Sequence, residues 1–291
     1  SHKPERSDTM ITFVTDSGRD LPADMNLPFE LKILPLRVYV RNEEYEDKVT
    51  LQPEELYRME LQGEVATTSL PKPNVVERVL KEASERSEKV YVITISSRLS
   101  NTYDLVQSVA NSLGTKNIVV LDSKTASIKQ GYIILKAMEF LRKNGNLTQK
   151  DIDKAVENSQ LVFFVPTLEY LYRGGRIGKA KAFFGKLLNI KPILTTDNEG
   201  EVNTLGTVRT LESGVSSMAK IAQDFVNQKD IGGHYSIIGG FTIESMKSYL
   251  DKLIANFDEK AVLGISNIGA AIAAHVGPEA FGVVIGEKVE I

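Results

Sequence analysis

Hydroxyls, backbone amides, guanidinium groups and an imidazole gather in four short clusters of this 291-residue chain: Thr67-Thr68-Ser69-Leu70-Pro71, Ser97-Arg98-Leu99-Ser100-Asn101-Thr102, Gly174-Gly175-Arg176-Ile177 and His275-Val276-Gly277-Pro278. All of these groups donate hydrogen bonds, and donors that converge on one point hold an acidic ligand. Three of the clusters lie near apolar runs that read as buried elements. Loops leaving a rigid sheet meet in space although they are distant in sequence. The chemistry suggested is the holding of an anion.

Each cluster also has a plainer reading. Thr67 to Pro71 precedes a helix, and as a loop its hydroxyls can cap nearby amides instead of facing a ligand. Ser97 to Thr102 lies where a strand gives way to a helix, so N–H groups and the helix dipole face an incoming anion. Ser100 or Asn101 as a simple helix cap is the alternative. His275 sits in an Ala-rich stretch from Ile268 to Val276, either as a packed structural side chain or as an imidazole that donates to the anion. Arg173 to Lys191 holds Arg173, Arg176, Lys179, Lys181, Lys186 and Lys191 with no acidic residue. That segment is a solvated face, or it offers cations to phosphate or to an acidic partner.

Composition narrows the choice. With 42% hydrophobic and 25% charged residues, the chain is globular in type and long enough for two cores. A formal net charge of −3 argues against a nucleic-acid binder, which needs a broad basic surface. The absence of cysteine excludes disulfides, thiolate zinc ligands and a cysteine nucleophile, and fits a cytoplasmic protein. No apolar run approaches the roughly 18 residues that cross a bilayer, so no stable membrane insertion is expected. The start Ser1-His2-Lys3-Pro4 lacks Met, and Met10 stands just before the first strand. Residues 1–9 are therefore expected to be a vector-derived arm, and His2 is left out of the site. No nucleotide-binding glycine loop, zinc-protease motif or nucleophile elbow is present. A hydrolase or phosphoryl-transfer enzyme using Ser100 and His275 is the alternative to a binding protein; neither a metal nor a catalytic residue is assigned.

The elements that must position these clusters follow from periodicity. Strands are expected at Met10–Val14, Leu31–Val40, Val90–Ile95, Ile118–Leu121 and Leu161–Val165. Helices are expected from Pro53, with Leu56, Met59, Tyr57 and Leu61 as its apolar side, and at Asn74–Ser87, Thr102–Leu113, Ile128–Asn144 and Gln149–Ser159. This alternation implies a doubly wound, mainly parallel sheet over residues 10–165. Residues 166–291 read as a second α/β domain. It has strands at Ile190–Leu194, Glu201–Leu205, Tyr235–Gly240, Ala261–Ile265 and Gly282–Ile285, a hairpin turn at Asp197-Asn198-Glu199-Gly200, and helices at Thr210–Val226 and Glu244–Asn256. A mixed sheet with helices on one face is the simplest arrangement, with a ligand cleft between the domains.

Taken in order, Asp16-Ser17, Thr68-Ser69-x-Pro71, Ser97-x-Leu99-Ser100-x-Thr102, Gly174-Gly175-Arg176-Ile177 and His275-x-Gly277-Pro278 resemble the pattern of the DegV family of bacterial fatty-acid-binding proteins, over essentially the whole chain from Met10. The resemblance implies two α/β domains with a long-chain fatty acid between them. Its carboxylate would be bound by Thr68, Ser100 and His275, the last directly or through the local network, with Ser69, Ser97, Asn101 and Gly277 in the surrounding loops. It further implies a carrier without catalysis of its own and without a cofactor, which presents the acid to a separate fatty-acid kinase. Arg173, Arg176 and Arg209 would face the phosphate or the kinase. Two positions depart from the family pattern, Asn101 and Glu279, where glycine is usual. Asn tolerates a left-handed backbone; a carboxylate at 279 would stand close to the head group. Phe163, Phe164, Phe183, Phe184 and Ile238 are candidates for an acyl tunnel or for ordinary core.

Overall fold

The computed structural model describes residues 10–185 and 189–291; the arm expected at 1–9, with His2, and Lys186 lie outside them. Strand β1, Ile11–Asp16, runs parallel to β2, Glu30–Leu34. Pro35 has no N–H to give to a ladder, and the chain leaves the sheet there. The single strand expected over Leu31–Val40 is therefore two. The second, β3 at Arg37–Val40, pairs antiparallel with β4, Glu43–Glu46. Helix α1, Pro53–Leu61, buries Pro53, Leu56, Tyr57 and Glu60, whereas Leu61, expected on its apolar side, is exposed. The Thr-Thr-Ser cluster is then a strand rather than a loop: β5, Thr67–Ser69, pairs with β3 and places Thr68 opposite Val38.

Helix α2, Pro73–Arg86, leads into β6, Lys89–Thr94; α3, Thr102–Leu113, leads into β7, Ile118–Asp122. These close a wholly parallel four-stranded sheet in the order β2-β1-β6-β7. Side chains on a strand alternate between faces. Val14, Val90 and Val92 accordingly meet Val76, Leu80 and Val106 of α2 and α3, while Phe13, Tyr91 and Ile93 enter the core on the opposite face.

Helix α4, Ser127–Asn144, and α5, Gln149–Glu157, precede β8, Ser159–Phe164. Helix α6, Glu169–Arg173, and a 3-10 turn at Gly178–Phe183 follow. Strands β9, Lys191–Thr196, and β10, Val202–Val208, form the expected hairpin. The chain continues through α7, Leu211–Gln228; β11, Tyr235–Phe241; α8, Glu244–Ile254; β12, Val262–Asn267; α9, Ala270–Val276; and β13, Phe281–Glu287. The second sheet is mixed, in the order β10-β9-β8-β13-β11-β12, with only β11 and β12 parallel.

Two placements differ from the sequence reading. Strand β8, expected as the last strand of the first domain, lies inside the second sheet because β13 and β9 supply its partners. The second sheet also has helices on both faces. Val162, Phe164, Val283 and Ile285 pack on α7 and α8, while Leu161, Phe163 and Val284 join the core that contains α4. Helix α4 is buried from Ser127 to Glu139. Lys136 Nζ pairs inside with Glu139 Oε2 at 2.7 Å, whereas Lys129 Nζ meets only a neutral carbonyl, donating to Ser159 O at 3.2 Å. Burial pulls the Lys129 pKa down to about 7. Helix α9, from the C-terminal part of the chain, docks with α1 on the small sheet through Ala270, Ala271, Ala273 and Ala274. That docking brings the C-terminal histidine to β5.

Candidate functional site

A cavity of about 340 Å³ opens where β5, the loop after β6, α6, the β9–β10 hairpin and α9 converge. The volume is at the lower end of the roughly 300–1,000 Å³ typical of small-molecule sites. Its apolar wall is built by Leu36, Leu70, Ile95, Leu99, Leu161, Phe163, Leu171, Leu194, Val202 and Ile272. Among the described residues, all four sequence clusters contribute polar groups to this cavity: Thr68 and Ser69, Ser100 and Asn101, Arg176, and His275; Ser127, Thr195 and Thr196 line it as well.

Thr68 Oγ1 and His275 Nε2 are 2.6 Å apart. The other ring nitrogen, Nδ1, is buried and has no hydrogen-bond partner. With the proton on Nδ1 a buried N–H would have no acceptor; with it on Nε2 the N–H donates to Thr68 Oγ1 and only the Nδ1 lone pair is left unpaired, which favours the Nε2–H tautomer. Burial, then the neighbouring Arg176 cation, pull the His275 pKa down to about 4, so the imidazole is neutral near pH 7. Close packing explains two glycines. A Cβ on Gly174 would lie 2.3 Å from His275 Nδ1, and one on Gly277, whose φ is +92°, would lie 2.7 Å from the Tyr170 ring.

The loop after β6 sorts its hydroxyls by partner. Ser97 turns away from the cavity: its Oγ donates to Asp122 Oδ2 at 2.6 Å, so the head-group role expected for it is not supported by its position. Ser100 turns inward, with its Oγ 2.7 Å from Thr102 Oγ1 and accepting from Thr102 N. It makes no hydrogen bond to His275, so the nucleophile–base pair of the hydrolase reading is not formed. Asn101 has φ −80°, an ordinary right-handed value, so its tolerance of left-handed backbone is not called upon.

The arginines divide likewise. Arg176, expected at the phosphate, is part of the cavity wall; its Nε donates to Leu99 O at 3.0 Å and its Nη1 to Gly174 O at 2.6 Å. Arg173 is exposed with its guanidinium 5.0 Å from the centre of the Tyr170 ring. Arg209 is exposed ahead of α7 and lines neither this cavity nor the smaller one beside Arg173. Gly277 and Glu279 also lie outside the lining. Of the aromatic candidates, Phe163 lines the cavity, Phe164 and Ile238 are core, and Phe183 and Phe184 are exposed. Lys179 is committed to Asp197 and Glu199 of the hairpin turn.

Sequence reasoning missed Leu161, Leu171, Leu194, Val202, Thr195, Thr196 and Ser127 as wall residues. Alternation along β8 and β9 is the signal for Leu161 with Phe163 and for Leu194 with Thr196; the consecutive Thr195, and Leu171, Val202 and Ser127 on other elements, carry no such signal. Among the described residues no group of three or more His, Asp or Glu side chains is placed to hold a metal ion. No helix among them is long and apolar enough to cross a membrane.

Fold and site define an α/β protein of two main sheets with a mainly apolar cavity lined in part by hydroxyls, a histidine and an arginine. The chain belongs to the DegV family: the family model described as "Uncharacterised protein, DegV family" matches residues 10–288. A DegV domain-containing protein of Clostridium acetobutylicum is 32% identical over 287 residues, covering 96% of this chain and 99% of that protein. Among solved structures, a DegV family protein from Thermus thermophilus, described by its fatty-acid binding, is 30% identical. It matches with a TM-score of 0.84, covering 96% of this chain and 99% of its own. DegV of Bacillus subtilis, described as a fatty acid binding protein, is 26% identical and matches with a TM-score of 0.80, covering 96% of this chain and 100% of its own.

Proposed function

We propose that this protein holds a long-chain fatty acid in the cavity between its sheets and presents the carboxyl group to a separate fatty-acid kinase for acyl-phosphate formation. The observation that carries the reading is one mainly apolar cavity into which Thr68 enters in contact with His275, and Ser100 enters beside Leu99, whose carbonyl holds Arg176. With His275 Nε2–H donating to Thr68 Oγ1, the Thr68 hydroxyl proton is free to point at a carboxylate oxygen. Thr68 is then the direct ligand donor, and His275 fixes its orientation. Ser100 offers a second hydroxyl.

Arg176 adds a cation whose Nε and Nη1 are committed to backbone carbonyls, leaving N–H groups on Nη2 for the anion. The acyl chain supplies most of the affinity. At about 0.8 kcal/mol per buried CH₂, roughly fourteen methylenes contribute about 11 kcal/mol before the costs of association. The fatty-acid binding of the Thermus thermophilus and Bacillus subtilis relatives supports the same ligand class. Exposed Arg173 and Arg209 are cations available to phosphate or to the kinase.

Mass spectrometry under native and then denaturing conditions tests the ligand. The expected result is one long-chain fatty acid per protein, reduced in Thr68→Val and in Ser100→Ala while the fold is retained. Unchanged occupancy in both variants overturns the head-group assignment; a protein that neither carries nor takes up fatty acid overturns the ligand class.

A further inference from the structure

Thr68 and His275 meet across a joint. Thr68 belongs to the small sheet, in the order β4-β3-β5, and His275 to α9, 207 residues further along the chain. The face that α9 packs on that sheet and on α1 consists of Ala270, Ala271, Ala273 and Ala274. Methyl groups bury area, but they raise no ridge that interlocks, and the hydrophobic effect has no direction. Such a face lets a helix slide or turn slightly, which the 2.6 Å contact between Thr68 and His275 does not tolerate.

Directional bonds supply the register. Among the described residues, three buried side chains take hold of the residues that open α9. Tyr57 of α1 donates its hydroxyl to Ile268 O. Asp20 Oδ1 accepts from Gly269 N at 3.1 Å, and Asp47 Oδ1 accepts from Ala270 N at 3.2 Å. Lys48 Nζ steadies this group, bonding Asp20 Oδ1 at 2.8 Å and the carbonyls of Ser17 and Arg19 at 3.1 and 2.6 Å. Asp20 Oδ2 takes the hydroxyl of Ser127, a residue of the cavity wall, at 2.7 Å. Lys48 and Ser127 have φ of +65° and +58°, a left-handed backbone that non-glycine residues keep only where their surroundings impose it. Gly269 is packed to match, since a Cβ there would lie 2.8 Å from Lys48 Cε. Buried carboxylates carry a desolvation cost that apolar packing avoids, and their best-attested use is to fix a register.

We propose that Asp47, together with Asp20 and Tyr57, is a positioning residue for the head-group pair: these side chains fix where α9 begins against the small sheet and so set the approach of His275 Nε2 to Thr68 Oγ1. The bonded path is short. Thr68 pairs with Val38 on β3; Leu36, two residues before Val38, accepts from Asp47 N at 2.9 Å; Asp47 holds Ala270; and His275 lies on the helix that Ala270 opens. Asp47 does not line the cavity, so its action runs through α9. The effect on fatty acid rests on the function proposed above; the register of His275 does not.

Palmitate titration and histidine-ring NMR of the full chain at pH 7 test the assignment with Asp47→Ala, Asp47→Asn and His275→Gln. Asp47→Ala is expected to weaken palmitate binding about fivefold, the effect of losing the hydrogen bond that orients Thr68. It is also expected to move the His275 ring nitrogen resonances of the unloaded protein. Asp47→Asn, whose amide oxygen still accepts from Ala270 N, should stay near the wild type in both. Combined with His275→Gln, Asp47→Ala should bring no further loss of affinity, because its effect passes through the ring; a fold that is merely weakened loses the same factor in both backgrounds. Additive losses overturn the proposal, as does an Asp47→Ala protein with wild-type affinity and unmoved His275 resonances. Should Asp47→Ala fail to fold, Tyr57→Phe takes its place: shifted resonances support the register, and unmoved resonances with wild-type affinity overturn it. A wild-type protein that takes up no palmitate overturns the proposed function instead, and the His275 resonances of the unloaded variants still decide the register.

Discussion

Replacing Gly174 by alanine isolates the packing that holds His275. The backbone at Gly174, φ −76° and ψ −7°, suits any L-residue, so the change acts through its methyl group alone. That methyl would stand 2.3 Å from His275 Nδ1, 2.9 Å from Cε1 and 3.2 Å from Tyr170 O. Relief to ordinary contact takes about 1 Å of movement. The same displacement stretches the 2.6 Å Thr68–His275 contact past the roughly 3.2 Å limit of a good hydrogen bond. Overpacking of this kind costs about 1–3 kcal/mol of stability. Losing the contact that orients Thr68 should weaken fatty-acid binding by about 1 kcal/mol, or roughly fivefold. Urea denaturation and palmitate titration of Gly174→Ala measure both, with Gly232→Ala as the control because nothing lies within 4 Å of a Cβ built there. A Gly174→Ala protein equal to the control in midpoint and in palmitate affinity refutes the packing of ring against glycine.

Acid should expose the neutral His275. Its folded pKa of about 4 lies below the ordinary 6.5, so the unfolded chain takes up a proton that the native state refuses between these values. Stability is complete above pH 6.5 and declines as pH falls toward 4, by about 3 kcal/mol in full. Denaturation at pH 7 and at pH 4.5 should show a larger loss in the wild type than in His275→Gln; equal losses mean the ring is not held neutral. Ser97→Ala removes the 2.6 Å bond to Asp122 and should cost about 1–2 kcal/mol in the same assay without altering palmitate affinity. A loss of affinity there returns Ser97 to the head-group region.

The local elements were legible because their signals are local. Helix α3 runs from Thr102 to Leu113, as its spacing and caps indicate, and the Asp197–Gly200 turn joins β9 to β10. Strand β5 was not legible: three polar residues carry no alternation, and Val38 on β3 decides their pairing. The allegiance of β8 depends on β13, at the far end of the chain. In the loop after β6, Ser97 and Ser100 look alike until Asp122 and Thr102 claim one each. Arg176 reads as a surface cation until the carbonyls of Leu99 and Gly174 draw it into the wall. In each case a partner remote in sequence selects among locally equivalent choices, and propensity has no access to that partner.

Helix α4 is shared property. It contributes to the core beneath Phe13 and Tyr91 of the first sheet and beneath Leu161 and Val284 of the second. Neither half of the chain retains a complete interior without it. A cut at the helix therefore yields two fragments that must reassociate to regain order, and heating should melt both sheets in a single cooperative step.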